Sequence, residues 1–134
     1  MKKLTLFVFL LLTAAGAFCQ NLIGYSDQEI KKHMKENHKE MNFNNVTNTG
    51  FKYLKYSDNS DSQTLLFFLD KDLVCNSVRL ICDNSIKEKK VKEFNSIYKN
   101  NGENRWIDNH DGKNYLIEVK DERWSCVISI VPDK

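Results

Sequence analysis

Two segments of the chain place apolar residues at the three- and four-residue spacing of an amphipathic helix. Ser26 precedes the first segment and Glu29 follows three residues later, which is the pattern of a capping box. The spacing predicts helices over about 27–41 and 86–100. The residues on the first helical face are Ile30, Met34, His38 and Met41. Those on the second are Val91, Phe94, Ile97 and Tyr98.

The remaining segments are short runs that alternate apolar and polar residues or are apolar on both sides, as strands are. Asp, Asn, Ser and Gly separate these runs and favour turns. The predicted strands are 51–56, 64–69, 74–82, 105–107, 114–119 and 123–131.

The order helix, strand, strand, strand therefore occurs twice, over about 26–82 and about 85–131. This repetition predicts an internal duplication. We expect a two-layer α+β fold, in which the tandem αβββ repeat forms one antiparallel six-stranded sheet with two helices on one face. The length of 134 residues fits a single such domain.

Alternation along the strands divides their side chains between two faces of the sheet. We predict a core face under the helices that consists of Leu65, Phe67, Leu69, Val74, Val78, Leu80, Cys82, Tyr115, Ile117, Val119, Trp124, Cys126, Ile128 and Ile130. The opposite face, called the open face below, consists of Tyr53, Leu66, Phe68, Ser77, Arg79, Leu116, Glu118, Val127 and Ser129. The open face mixes aromatic, aliphatic and charged side chains, which is typical of protein-binding surfaces.

Residues 1–19 have the pattern of a secretory signal peptide. Lys2 and Lys3 precede an apolar run over 4–12, and small residues follow it. The run is shorter than the roughly 20 residues that span a bilayer. Cleavage after Ala17 or after Cys19 both fit the pattern. We expect a bacterial protein that is periplasmic or secreted, with residues 20–134 as its single domain.

The balance of charges argues against nucleic acid as a partner. The formal net charge of +2 disappears with Lys2 and Lys3, because the 20 basic residues then fall to the number of acidic ones, 18. A nucleic-acid binder normally needs a clustered basic surface. The chain also lacks a nucleophile elbow, a phosphate-binding loop and zinc-ligand spacing, so we expect neither catalysis nor a cofactor.

Cysteines in an exported protein suggest disulfide bonds. If the two repeats join through their third strands, antiparallel and with Arg79 opposite Ser129, then Cys82 lies opposite Cys126. This register predicts a Cys82–Cys126 disulfide, although two small buried side chains without a bond fit the same positions. Cys75 either pairs with Cys19, if the earlier cleavage site is used, or stays free.

Met34, His38 and Met41 are the one set of residues whose chemistry suits a metal ion, since thioether and imidazole ligands hold Cu(I). The same spacing is also that of a helix face packed on a core, with a histidine at its rim. We prefer the second interpretation and predict no metal site.

Two Ser-initiated helices, Ser26-Asp-Gln-Glu29 and Ser85-Ile-Lys-Glu88, each followed by paired strands, carry a resemblance to known proteins. In element order, residues 27–131 resemble the small exported proteins described as PepSY-like or beta-lactamase-inhibitor-like, which contain a helix-and-sheet unit in tandem. The resemblance implies a non-catalytic envelope protein whose sheet face binds another protein.

The functional expectation is an exported binding or inhibitor-type module that uses the open face, and another protein is the expected partner. The residues expected to contact it are Tyr53, Leu66, Phe68, Arg79 and Leu116. One alternative is a periplasmic carrier of a small ligand or metal, using Met34, His38 and Met41 or the space between helices and sheet. A second alternative is an immunity-type partner of a toxin.

Overall fold

The computed structural model describes residues 21–44, 50–110 and 112–134. The predicted signal peptide lies outside these residues. Within them the chain forms two helices and eight strands. In chain order these are α1 (Asp27–Asn37), β1 (Met41–Asn44), β2 (Tyr53–Asp58), β3 (Gln63–Leu69), β4 (Cys75–Asp83), α2 (Asn84–Ile97), β5 (Lys99–Asn100), β6 (Arg105–His110), β7 (Lys113–Asp121) and β8 (Ser125–Pro132).

All eight strands belong to one antiparallel sheet with the order β1-β2-β3-β4-β8-β7-β6-β5. Each helix is followed by four strands, and we call α1 to β4 the first unit and α2 to β8 the second unit. Within each unit the strands lie side by side in chain order. The units join through β4 and β8, where Arg79 lies opposite Ser129 and Cys82 opposite Cys126.

The prediction of a six-stranded sheet is therefore wrong, because the sheet has two further strands, β1 and β5, at its outer edges. Met41 continues the helical spacing, but His38 leaves the helical conformation, with φ −134° and ψ 62°, and β1 begins at Met41. Tyr98 is likewise extended, and β5 occupies the end of the second predicted helix. Strands of four and two residues are too short to show a period.

The predicted capping box at the start of α1 is confirmed. The Ser26 hydroxyl accepts a hydrogen bond from the Glu29 backbone N–H at 3.2 Å, and the Ser26 backbone N–H donates to the Glu29 carboxylate at 2.8 Å. The reciprocal bonds satisfy two N–H groups that the helix itself leaves unpaired. At the start of α2, the N-cap Asp83 makes no side-chain capping bond.

The core lies between the helices and one face of the sheet. Ile30 and Met34 of α1 and Phe94 of α2 belong to the same buried cluster as the inward residues of the strands. The largest of those inward side chains are Trp106 and Phe67, which are 1% and 0% exposed. Both helices therefore cover this one face.

Two predicted core positions are wrong. Trp124 is 79% exposed, because β8 begins only at Ser125 and Trp124 belongs to the preceding turn. Near the start of β4, Cys75 rather than Val74 is buried. A register shift in the pairing with β3, between Phe68 and Leu69, places Cys75 on the core side.

Candidate functional site

Four of the five predicted contact residues lie together on the open face, where β2, β3 and β4 are adjacent. Tyr53 pairs with Phe68 across β2 and β3, and their ring centroids are 5.9 Å apart. Leu66 pairs with Arg79 across β3 and β4. The Arg79 guanidinium lies 5.3 Å from the centroid of the Phe68 ring, a cation–π distance.

Leu116 lies on the same face but apart from this group. It belongs to β7, which is separated from β4 by β8, so Leu116 is about 10 Å from the Arg79 strand across the sheet. Its neighbours in the register are Ile107 and Val131. The structure therefore divides the predicted surface into an aromatic part on the first unit and an aliphatic part on the second.

A row of residues crosses the sheet at the centre of the open face. In the first unit, Lys55, Leu66 and Arg79 lie opposite one another in turn. The row continues through Ser129 in the second unit to the residues Glu118 and Arg105. The sequence pattern alone does not indicate Lys55, although it shares the strand parity of Tyr53, because only the register places it beside Leu66.

The two halves of this row differ in how their charges are paired. Glu118 Oε2 lies 3.3 Å from Arg105 Nε, and Glu118 Oε1 lies 4.0 Å from Lys120 Nζ. Among the described residues, no carboxylate lies within 4.0 Å of the charged groups of Lys55 or Arg79. The first-unit half of the row therefore presents two positive charges on either side of Leu66.

Phe51 extends the aromatic part of the open face and was also missed. It is 71% exposed and lines a shallow pocket of about 430 Å³ together with Phe68 and Arg79. Phe51 shares the strand parity of Tyr53, which is the signal that would have indicated it. An aromatic side chain this exposed beside a cation is a typical anchor for a partner.

The predicted cysteine pair lies at the junction of the two units, on the core side. Cys82 and Cys126 are 2% and 0% exposed, and their Sγ atoms are 2.9 Å apart. Burial, together with the neighbouring Cys126, raises the pKa of the Cys82 thiol to about 12. Both cysteines are free thiols in the structure, so the disulfide stays a prediction.

A second candidate site lies between α1, β1 and β2, and we call it the α1 cavity. Its volume is about 590 Å³. The residues that line it are Lys31, Met34, Lys35, His38, Lys39, Met41, Asn42, Phe43 and Tyr56. The expectation that Met41 shares a helix face with Met34 and His38 is wrong, because Met41 belongs to β1, but all three residues border this one cavity.

His38 is the polar residue at this cavity that has a buried atom without a hydrogen bond. Its Nδ1 lies 3.2 Å from the carboxylate of Glu40, whereas its Nε2 is buried and has no hydrogen-bond partner. Because the carboxylate only accepts, Nδ1 must carry a proton. The ring of His33 lies 5.7 Å away. Burial, and then the neighbouring His38, lower the pKa of His33, against an opposing effect of Glu36.

The described residues contain no group of three or more His, Cys, Asp and Glu side chains that could hold a metal ion. The thioethers of Met34 and Met41 and the imidazole of His38 are the remaining candidate donors, and they would suit Cu(I).

Comparison of the chain with protein-family models, with curated proteins and with solved structures finds no match. Of the two helices in the described part of the chain, neither is long and apolar enough to cross a membrane.

Proposed function

We propose that this protein is an exported, non-catalytic module that binds another protein on the open face of its sheet. The observation that carries the proposal is the Lys55–Leu66–Arg79 row with the Tyr53 and Phe68 rings beside it. Arginine and aromatic residues held on a rigid sheet are frequent energetic anchors of protein interfaces.

The charges on this face define the chemistry of the partner. Lys55 and Arg79 flank an apolar side chain and have no carboxylate partner among the described residues. A partner loop or strand that carries an acidic side chain next to an apolar one complements this arrangement. The acidic side chain would pair with Arg79, and the apolar one would pack on Leu66 and Phe68.

A nucleic acid suits this face less well. The second-unit half of the row pairs its cations with Glu118, so the positive charge is confined to one part of the face. Polyanion binding draws its affinity from many phosphate contacts along a continuous basic surface. A folded protein with one acidic contact region fits better.

Paired double variants test the proposal. We expect Phe68→Ala/Arg79→Ala to lose a protein that the parent captures from the cell envelope. Arg123→Ala/Trp124→Ala is the matched control, because it removes the same kind of cation–π pair, also at 5.3 Å, from an exposed turn. With the captured protein purified, the dissociation constant should rise about 30-fold or more for the open-face variant, which corresponds to the 2 kcal/mol of a typical anchor pair.

Two outcomes would contradict the proposal. One is equal binding by the open-face variant and the parent. The other is equal loss in both double variants, which would indicate general surface attraction. An immunity-type role would use the same face to bind a toxin. Identification of the captured protein as a toxin would support that role.

A small-ligand carrier is the second candidate function. The specific observation in its favour is the α1 cavity, which lies on the helix side of the sheet and is therefore independent of the open face.

A further inference from the structure

We infer that the α1 cavity binds a single-chain carboxylic amphiphile of the fatty-acid type. This inference goes beyond the proposed protein-binding function and does not depend on it. The relevant observations are an apolar lining, a rim of lysines, a buried histidine nitrogen without a partner, and aromatic residues at the corresponding places of the second unit.

The interior of the cavity suits an aliphatic chain. Met34 and Tyr56 are 2% and 4% exposed, and Met41 and Phe43 complete the apolar lining. The volume of about 590 Å³ lies within the range of about 300–1,000 Å³ that is usual for ligand sites. Methionine side chains adapt their shape to flexible apolar ligands.

The rim of the cavity carries positive charge. Lys31, Lys35 and Lys39 follow one another at four-residue intervals and line the cavity. Among the described residues, no carboxylate lies within 4.0 Å of their amino groups. The Lys31 amino group lies 5.5 Å from the centroid of the Phe43 ring, directly above the apolar lining. The nearby Glu40 is engaged with His38. An anionic head group would therefore lie at the rim while its chain occupies the interior.

Among anionic head groups, the hydrogen-bonding needs of His38 favour a carboxyl group. A buried nitrogen without a hydrogen bond is costly, and because protein atoms cover His38 Nε2, a ligand in the cavity supplies the missing partner only if the imidazole turns toward it. With its proton on Nδ1, a neutral His38 offers Nε2 as an acceptor, and a protonated His38 offers it as a donor. A carboxyl group satisfies either form, because the acid donates and the carboxylate accepts. A sulfate or a quaternary ammonium head group satisfies one form or neither.

The second unit has aromatic residues at the places that correspond to Met34 and His38. Phe94 and Tyr98 stand at the same places relative to the end of α2 as Met34 and His38 do at the end of α1. Phe94 packs against Trp106 at 5.2 Å and against Tyr98 at 5.7 Å between ring centroids. Aromatic side chains thus occupy in the second unit the places that Met34 and His38 hold beside the α1 cavity in the first.

Calorimetric titration of the purified protein with sodium palmitate, kept below its micelle concentration, tests the inference. We expect saturable binding with one site and none with methyl palmitate, which lacks the charge. Lys31→Ala/Lys35→Ala/Lys39→Ala should weaken palmitate binding at least tenfold. The matched control, Lys87→Ala/Lys89→Ala/Lys92→Ala on α2, removes the same charge and should bind palmitate like the parent.

A second variant fills the cavity without relying on charge. Met34→Phe/His38→Tyr gives the first unit the residues of the second and should abolish palmitate binding while urea unfolding remains cooperative. Retained binding in this variant would contradict the assigned site. Equal weakening in both lysine variants, or binding only to phosphatidylglycerol vesicles, would overturn the inference. One-site Cu(I) binding that requires Met34 and Met41, without palmitate binding, would overturn it in favour of a metal.

The proposals for the open face and for the α1 cavity can be disproved separately. Phe68→Ala/Arg79→Ala alters only the open face and should bind palmitate with unchanged affinity. Loss of palmitate binding in that variant would contradict the independence of the α1 cavity from the open face.

Discussion

The two units of this protein share an order of elements but differ in what lies beneath their helices. Four residues before the helix C-cap, the first unit has Met34 and the second has Phe94, and the C-caps themselves are His38 and Tyr98. In the second unit Phe94 packs against both Tyr98 and Trp106. In the first unit Met34 and His38 border the α1 cavity. The same backbone plan therefore carries an aromatic cluster at these places in one unit and a cavity beside them in the other.

The units also differ one helical turn earlier. Ile30 of α1 is fully buried, whereas Lys90 holds the matching place in α2 and is also buried, at 9% exposure. The Lys90 amino group lies 3.7 Å from Glu93 Oε2. The lysine-rich segment around Lys90 is typical of a solvated helix face, so the sequence does not indicate that Lys90 is buried. The second unit thus buries a charged side chain beside its partner where the first unit buries an isoleucine.

Truncating the aromatic centre of the second unit should have the largest effect on stability. Trp106 is 1% exposed, packs on Phe94, and donates a hydrogen bond to Asn95 at 2.9 Å. Trp106→Ala should lower the free energy of unfolding by about 3–5 kcal/mol. Tyr56→Ala should cost less, because Tyr56 already borders a cavity. Urea unfolding of both variants measures the difference, and equal losses would contradict the contrast between the units.

Breaking the link between the units should have the next largest effect. If Cys82 and Cys126 form a disulfide, it closes a span of 44 residues and contributes about 2–4 kcal/mol under oxidising conditions. Cys82→Ala should lose this amount, and dithiothreitol should then have no further effect. Cys75→Ala is the control, because it leaves the pair intact. Mass mapping without reduction checks the bond directly, and an unlinked Cys82 in oxidised protein would disprove it.

Alkaline pH should destabilise the first unit through Cys75. Burial raises the pKa of this thiol from 9.0 to about 12, so the folded protein keeps it neutral while the unfolded chain ionises. The contribution of Cys75 should therefore be intact below pH 9 and fall by about 1.4 kcal/mol per pH unit above it, and Cys82 adds a similar slope while it is a free thiol. Urea unfolding at pH 8, 9 and 10 measures the slope. The fall of stability with pH should be less steep in Cys75→Ala, and an unchanged slope in this variant would exclude Cys75 as the cause.

The smallest expected difference lies at the starts of the two helices. Ser26→Ala removes the capping box of α1 and should cost about 1 kcal/mol. Asp83→Ala should cost only a few tenths, because Asp83 makes no side-chain capping bond. Thermal or urea unfolding distinguishes the two variants. A larger loss for Asp83→Ala would show that its position at the end of β4 matters more than capping.

Much of the open face follows from local pattern alone. Successive side chains of a strand point to opposite faces, so the alternation around Leu66, Phe68 and Arg79 predicts their common side without knowledge of the fold. The place of Lys55 beside Leu66 depends on the strand register, which links residues far apart in the chain. The Cys82–Cys126 register was predictable only because the repeat implied which strands join the units.

The α1 cavity, unlike the open face, does not follow from local pattern. The spacing of Met34, His38 and Met41 predicted that they share one helix face. They do lie close together, but α1 ends at Asn37 and Met41 belongs to a strand. The ends of both helices and the two edge strands were missed because they depend on pairing with β2 and β6. Such pairing leaves no period in segments this short.

The sequence by itself determined the start of α1, the side to which most strand residues point, and the tandem order of the units. These features arise from capping bonds and backbone alternation within a few residues. Tertiary structure alone decided that Lys90 is buried, that Trp124 is exposed and that a cavity lies beside His38. Each of those outcomes depends on which side chains from distant segments of the chain pack against the residue. The local sequence pattern does not contain that information.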